Sequence, residues 1–362
     1  QASTHREALL MRVVVTGGAG FIGSHVVDLL LEEGHEPVVV DIVEPRALAG
    51  QPEWPHSDVE VHRRDVRDDA LWDSVLTGAD AVCHLAAKVG LGVDFADAPN
   101  YVESNDVGTT TMLTAMHKAS WQGHVVLSSS MVVYGEGAYT CDLHGRVRPG
   151  PRSRLDLEAG RFEPSCTQCG AELHSALVDE TAPVDPRNVY AATKLHQEHL
   201  CAAFGREHGL PITALRYHNV YGPRMPRHTP YAGVASIFRS QLELGHDPSV
   251  FEDGGQRRDF VHVSDVAAAN LLALTSDRPH DGPLNVASGH PITLLEMAQV
   301  LCSADGNGHQ PVVNSRFRLG DVRHVTADPS LAFDTIGFAA KVLPTEGLRR
   351  FAHDQLSDVD PL

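Results

Sequence analysis

Apolar residues fall in short unbroken runs separated by stretches of helical periodicity. Val13-Val14-Val15 is a β-branched run of the kind carried by a strand buried on both faces. Thr16-Gly17-Gly18-Ala19-Gly20-Phe21-Ile22-Gly23 follows. Ile22, Val26, Leu29 and Leu30 then recur at helical spacing until Gly34 closes the segment. Val38-Val39-Val40 predicts a second strand ending in Asp41, and Val59-Glu60-Val61-His62 a third. A fourth covers 81–87, and Val125-Val126-Leu127 is a fifth that runs into Ser128-Ser129-Ser130. The spacing predicts long helices over 97–118, with Asn105 inside, and over 188–208, then a strand over 212–216. Strands alternating with helices make a parallel, doubly wound α/β sheet of the Rossmann kind, whose ligands bind beyond the carboxyl ends of the strands.

The alternation breaks over about 136–186, a stretch rich in Gly, Pro and Arg, which reads as an insert. After Gly222 loops are more frequent, with helices over 234–244, 264–274 and 294–301. The expected organisation is a nucleotide-binding domain over 11–220 and a smaller, interleaved substrate-binding domain over 221–362. Residues 1–10, ahead of Met11, read as a leader outside the fold. No internal repeat or coiled coil is visible.

Composition narrows the partners. With 29 basic and 47 acidic side chains the formal charge is −18, a surface that repels nucleic acid and anionic membranes. No apolar run reaches membrane-spanning length. Six cysteines in 362 residues do not make a disulfide scaffold, so a cytoplasmic location is expected.

The glycine turn between a strand and a helix is the context of a dinucleotide fingerprint. Gly17 and Gly20 suit the tight turn and close backbone approach, and Gly23 lets the helix lie against the strand. Phe21 and Ile22 open the helix, whose free N–H groups favour a diphosphate. Asp41, 24 positions after Gly17, can hold a ribose 2′-hydroxyl and would repel a 2′-phosphate, which points to NAD rather than NADP. Asp65, with Val66, reaches toward an adenine or caps the next helix. Leu85-Ala86-Ala87 ends its strand largely in small residues that admit a cofactor, and Asn105 joins the expected cofactor set.

Tyr190 and Lys194 lie four apart on one helix face. A free tyrosine has a pKa of about 10 and is a poor base. The neighbouring ammonium is expected to lower it, as a bound nicotinamide cation would, so that Tyr190 can exchange a hydroxyl proton while a hydride moves. Ser130 would hydrogen-bond the same oxygen.

On these stretches the chain resembles the extended short-chain dehydrogenases/reductases of the NAD-dependent sugar-nucleotide epimerase/dehydratase family. The matching segments are Thr16 to Gly23, His84-Leu-Ala-Ala87, Ser128-Ser-Ser130, Val133-Tyr134-Gly135, Tyr190-x-x-x-Lys194, Arg216 to Arg224, Arg258 to Val263 and Arg318-Leu-Gly-Asp321. The resemblance implies a catalytic set of Ser130, Tyr190 and Lys194, sugar or diphosphate contacts from Asn219, and diphosphate contacts from Arg258 and Arg318. It also implies a homodimer formed through the helices over 97–118 and 188–208. Dehydratases of the family carry Asp-Glu where Met131-Val132 stand, and its decarboxylases carry Glu at the second position. Elimination needs an acid and a base that this strand end lacks. Reversible oxidation at carbon 4 remains, the work of a nucleotide-sugar 4-epimerase. Residues 89–92, 139–145, 166–170 and 229–238 are similar to the group of bacterial dTDP-L-rhamnose 4-epimerases. The substrate implied is dTDP-L-rhamnose or another nucleotide-diphosphate hexose. The competing readings are a nucleotide-sugar reductase or dehydrogenase on the same fold, and a non-catalytic NAD-binding scaffold or sensor.

Fifty-nine residues separate Ser130 from Tyr190. Within them Cys141-x-x-His144 and Cys166-x-x-Cys169 are two short-spaced ligand pairs, the arrangement of a zinc ribbon. The 21 residues between the pairs hold five arginines and few large apolar side chains, so a closed structural Cys3His zinc site is expected to organise the insert.

Overall fold

Seven parallel strands form the main sheet, and all but one edge strand are short, apolar and largely buried. The computed structural model describes residues 10–42, 59–90, 95–227 and 233–357. Residues 1–9 of the expected leader (1–10) and motif positions 91–92 and 229–232 lie outside the described residues.

In chain order the elements are β1 (Arg12–Thr16), α1 (Phe21–Glu32), β2 (Glu36–Asp41), β3 (Glu60–Arg63), α2 (Asp69–Val75), β4 (Ala81–His84), α3 (Ala98–Tyr101), α4 (Gly108–Lys118) and β5 (His124–Ser130). The insert supplies β6 (Ala138–Cys141), β7 (Gly145–Val147), α5 (Arg154–Glu158) and β8 (His174–Ala176). There follow α6 (Val189–His208), β9 (Ile212–Tyr217), β10 (Asn219–Tyr221), α7 (Val234–Glu243), β11 (Ser249–Val250), β12 (Arg257–Arg258), β13 (Phe260–His262) and α8 (Val263–Leu274). The chain ends with β14 (Gly282–Val286), β15 (Ile292–Thr293), α9 (Leu294–Asp305), β16 (Val312–Val313), β17 (His324–Val325), α10 (Ser330–Ile336) and α11 (Pro344–Phe351).

The main sheet runs β14-β9-β5-β4-β1-β2-β3. The order reverses between β1 and β4, and there the carboxyl ends open a crevice. Side chains alternate between two cores. Val13 and Val15 pack with Val26, Leu30, Val266 and Ala269 beneath α1 and α8. Val14, between them, faces Trp72, Met112, Met116 and Cys201 on the side of α2, α4 and α6. That double coverage is why the strands read as unbroken apolar runs. A third core, around Tyr221, Phe238, Phe260, Met297 and Phe351, belongs to the second half. Residues 282–286 nonetheless return as β14 to the main sheet, so the two halves interleave.

The segment expected as one helix over 97–118 is interrupted. After α3 the residues Val102–Val107 form a π-helical turn before α4 begins. The wider turn directs Asn105 inward, where its Oδ1 accepts from Lys88 N–H at 2.7 Å and its Nδ2 donates to Lys88 O and Thr193 Oγ1 at 3.1 and 2.9 Å. Helix α6 starts cleanly because Asn188 caps it through Ala191 N–H. Among the described residues no helix is long and apolar enough to cross a membrane.

Gly23 illustrates how tightly α1 lies on the turn before it. A Cβ built there would stand 2.1 Å from Gly17 O. Gly23→Ala should therefore cost about 1–3 kcal/mol of stability from overpacking and weaken retention of a dinucleotide. Thermal unfolding and cofactor content of the purified variant measure both, and a wild-type melting temperature would refute the contact.

Candidate active site

The crevice is floored by the glycine turn. Gly17 has φ +69°, and a Cβ on it would come within 2.8 Å of Ala86 N. The turn is thus packed against the exit of β4 with no room for a side chain. Gly20 is the N-cap of α1, and no side chain caps that end or places an acid in its first turn. Among the described residues the N–H groups at Phe21, Ile22 and Gly23 therefore have no internal anion, the condition for holding a diphosphate. Asp41 is buried at the end of β2 and its Oδ2 accepts from Ala19 N–H at 3.0 Å. A carboxylate beside an uncapped, glycine-rich helix start is a donor and acceptor set that fits an NAD dinucleotide. Leu85 and Ala86 are pinned by their N–H groups to Thr16 Oγ1, both at 3.1 Å, and Ala87 follows.

Three of the expected cofactor residues have polar groups turned to protein partners. The Asp65 carboxylate meets the Arg67 N–H at 2.8 Å and its guanidinium at 2.6 Å, which holds the carboxyl below its ordinary range. It does not cap α2; Asp68 does. The Val66 side chain is core, and its carbonyl accepts from Trp72 Nε1 at 2.8 Å. Asn105 has its amide committed to Lys88 and Thr193, so it fixes the walls of the crevice.

Beneath the turn lies a polar network that the sequence pattern did not reveal. Thr16 Oγ1, holding two backbone N–H groups, is 2.8 Å from His84 Nδ1. His84 Nε2 is 3.1 Å from Thr109 Oγ1, whose proton goes to Asn105 O at 2.7 Å. Nε2 therefore carries the histidine proton and donates to Thr109. Burial pushes the His84 pKa down to about 3, so the ring is neutral. The one available signal was a histidine in an otherwise apolar strand.

Ser130, Tyr190 and Lys194 come together where β5 meets α6. Ser130 ends β5 and starts a 3-10 turn over Met131–Tyr134, with its Oγ accepting from Val132 N–H at 3.4 Å. Met131 and Val132, half-buried at this strand end, bring no ionisable group to it. Lys194 is buried and its Nζ donates to Ser128 O at 2.9 Å; among the described residues no carboxylate lies within ion-pair distance. Desolvation lowers its pKa to about 8. The Tyr190 phenol is pushed up to about 12, again by desolvation, with the Ser130 hydrogen bond opposing. The expected lowering by the neighbouring ammonium is therefore corrected for the protein without its cofactor: burial dominates, and Lys194 is directed to the Ser128 backbone rather than acting on the phenol.

Helix α6 is anchored one turn further on. Glu198 receives Arg216 Nε at 2.9 Å and Nη2 at 2.7 Å, both side chains buried, and also accepts from the Ser129 hydroxyl. Glu198 and Arg216 were not singled out from the sequence.

On the far side of the crevice Asn219, in β10, has a buried Oδ1 with no hydrogen-bond partner among the described residues. The Arg258 guanidinium gives Nη1 to Arg257 O and Arg323 O and Nη2 to Val322 O, each at 2.8 Å. Of its five N–H donors two have no partner among the described residues. Arg318 is exposed, 5.4 Å over the Phe251 ring. A cavity of about 40 Å³ is lined by Glu136, Arg152, Arg187 and Asp321, among others.

In the insert, the antiparallel sheet β7-β6-β8 brings Cys141, His144, Cys166 and Cys169 together, with their ligand atoms all within 4.8 Å of one another. Cys141 Sγ is 3.5 Å from His144 Nδ1 and 3.7 Å from Cys169 Sγ, and Cys166 Sγ is 3.5 Å from His144 Nδ1. Backbone N–H groups of Gln168 and Cys169 favour the Cys166 thiolate and hold its pKa down to about 6. The expected shortage of apolar groups in the insert is only partial, since Leu157 and Phe162 are buried and Tyr139 and Leu173 pack on the cysteines.

The family described as the NAD dependent epimerase/dehydratase family matches residues 13–153 and 162–287. A curated relative, the dTDP-L-rhamnose 4-epimerase of Burkholderia thailandensis, is 34% identical over 333 residues, which is 90% of each chain. The UDP-glucose 4-epimerase of Thermotoga maritima, solved with UDP-glucose, superposes with a TM-score of 0.74 at 30% identity over 94% of this chain and 97% of that one. The Thermus thermophilus UDP-glucose 4-epimerase complex with NAD gives 0.73 at 30% identity over 94% and 98%.

The buried Lys194 makes stability depend on pH. Its folded pKa of about 8 lies below the ordinary 10.5, so unfolding takes up a proton between these values and stability rises with pH. Relative to Lys194→Met, the wild type should gain up to about 1.4 kcal/mol per pH unit in that window. Denaturant unfolding across pH 8 to about 10 tests this. A difference that does not change with pH would contradict the lysine's desolvation.

Proposed function

The chain belongs to the NAD-dependent epimerase/dehydratase family, and from that membership we propose that it is a nucleotide-sugar 4-epimerase with Ser130, Tyr190 and Lys194 as its catalytic residues. The observation that carries the reading is the meeting of Ser130 and Tyr190 beside an uncapped glycine turn, at a strand end whose next residues are Met131 and Val132. Tyr190 takes the proton of the sugar's 4-hydroxyl while Ser130 hydrogen-bonds the same oxygen. Lys194 holds the Ser128 backbone and so fixes the floor under both groups. NAD, when bound, supplies the hydride acceptor and donor for carbon 4 and the positive charge that favours the Tyr190 phenolate. The hydride returned by that cofactor to the other face of the 4-keto sugar would leave no net redox change, and Tyr190 gives the proton back to the 4-oxygen. Asn219, through its unpartnered Oδ1, contacts the sugar or diphosphate. Arg258, with two free donors, and the exposed Arg318 take the diphosphate. Likeness to the Burkholderia relative favours dTDP-L-rhamnose as substrate, with other nucleotide hexoses as the alternatives.

The insert is a structural zinc site formed by Cys141, His144, Cys166 and Cys169. A tetrahedron with Zn–S of about 2.3 Å and Zn–N of about 2.0 Å has edges of roughly 3.5–3.8 Å, and the three separations above fall in that range. All four positions are filled by protein, so the ion has no opening for substrate and acts through structure. The protein is proposed to be a cytoplasmic homodimer that pairs through α4, α6 and the turn before α4, where Val102 and Val107 are exposed.

Tyr190→Phe should lower turnover of the accepted nucleotide sugar at least about 10³-fold, near the scale of a lost general acid/base, while NAD stays bound. Isomers of unchanged mass, formed without added NAD from a panel including dTDP-L-rhamnose and UDP-glucose, read the activity. In deuterated water carbon 4 should gain no deuterium, and obligatory incorporation there would replace hydride transfer with deprotonation at carbon. Elemental analysis should find about one zinc per chain, a stoichiometric structural site; trace amounts only would remove the metal.

A further inference from the structure

The two ligand pairs of the insert are each preceded by a residue that grips the same dipeptide. Tyr139 lies two positions before Cys141, and its hydroxyl accepts from His324 N–H at 3.1 Å. The same hydroxyl donates to Glu136 Oε2 at 3.0 Å, and that oxygen also receives Arg323 N–H at 3.1 Å. Glu163 lies three positions before Cys166. Its Oε1 receives Arg323 Nε and Nη2 at 2.8 and 2.6 Å, and its Oε2 is 2.7 Å from His324 Nε2. His324 Nδ1 accepts from the backbone N–H of Arg257 at 3.0 Å, so the ring proton must be on Nε2 and is donated to Glu163. Arg323–His324 is therefore held from one arm of the insert through its N–H groups and from the other through both side chains.

That dipeptide is the seat of Arg258. Strand β17 pairs with β12, with Arg258 opposite Val325. The carbonyls of Val322 and Arg323 receive two of the three hydrogen bonds that orient the Arg258 guanidinium. Movement of Arg323–His324 by a few tenths of an ångström would re-aim the two donors left for a ligand.

We propose that the Cys3His cluster is the fastening of a clamp in which Tyr139 and Glu163 are positioning residues that set Arg258 for the diphosphate of the nucleotide sugar. The proposal rests on Arg258 as a diphosphate contact and on the cluster as a metal site. The cluster ties the β6 arm to the 163–169 arm, so that both grips act on one rigid frame. The frame has a reason to be rigid. Arg323 is almost wholly buried, and Glu252 and Asp253 bind it as well, at 2.9 and 2.8 Å. Loss of Glu163 leaves two carboxylates on Arg323, so the fold survives while the registration of the dipeptide is lost.

The test measures equilibrium binding of UDP and of dTDP by calorimetry, without turnover, on the full chain carrying its NAD. Tyr139→Phe and Glu163→Gln should each weaken the better-bound nucleotide about tenfold and raise KM for the nucleotide sugar alike. The kcat should stay within about twofold and zinc at the wild-type stoichiometry. Protein stripped of zinc by a chelator should show the same weakening, and Glu163→Gln should add little to it, because both act through one route. Variants that bind UDP and dTDP as the wild type does would overturn the clamp alone. So would weakening that adds in full on metal removal, or a wild type that carries no metal. A wild type that binds neither nucleotide would remove the diphosphate reading of Arg258 and the clamp with it.

Discussion

The Glu198–Arg216 pair determines where α6 meets the sheet. Arg216 comes from the end of β9 and Glu198 from α6, one turn after Lys194, and the hydroxyl of Ser129 at the end of β5 joins the same carboxylate. A buried ion pair contributes little net stability, but leaving one partner without the other costs about 3–5 kcal/mol. That asymmetry makes the pair a device of registration. With α6 fixed, Tyr190 reaches Ser130 and Lys194 reaches the Ser128 carbonyl, and none of these groups has freedom to settle elsewhere. The arrangement of Ser130, Tyr190 and Lys194 rests on this anchor.

The electrostatics of the crevice keep it quiet until it is filled. Burial raises the Tyr190 phenol and lowers the Lys194 ammonium, so each moves toward its neutral form. The neutral His84 beneath them adds a polar support without another charge. An idle tyrosinate would be a standing base in a cleft open to water. On the proposed reading, a phenol that ionises only in the assembled complex would confine proton transfer to the productive state.

Much of the fold could be read from residue patterns because the physical causes are local. Valine runs covered on both faces, a glycine turn before a helix, and a tyrosine and lysine four apart each declare their structure over a few residues. The π turn at 102–107 could not be read this way. The apolar periodicity of α3 and α4 passes through it, and its cause is the partnering of Asn105 with Lys88 and Thr193, far away in sequence. The grip of Arg67 on Asp65, two residues before it, could not be read from the pattern either. The tyrosine's acidity was misjudged for the same reason, since a spacing shows a neighbouring ammonium but not the carbonyl to which it is bound. The cysteine and histidine spacings located the insert's cluster. The grips of Tyr139 and Glu163 on Arg323–His324 had no sequence signature, because they join positions more than 150 residues apart.

The placement of β14 has a consequence for how the chain is made. Strand β9 pairs on one side with β5 and on the other with residues 282–286. During synthesis the first six strands can assemble as soon as they emerge, but the outer edge of β9 then stays bare. It remains so until more than sixty further residues have left the ribosome. A bare parallel edge is a template for pairing with another chain. The Asn285 side chain closes the gap when it arrives, joining Tyr134 at 2.8 Å and the carbonyls of Val178 and Asp328. The interval between β9 and β14 is thus the stage of biogenesis most exposed to misassembly, and a holdase that covers a strand edge would be of most use there.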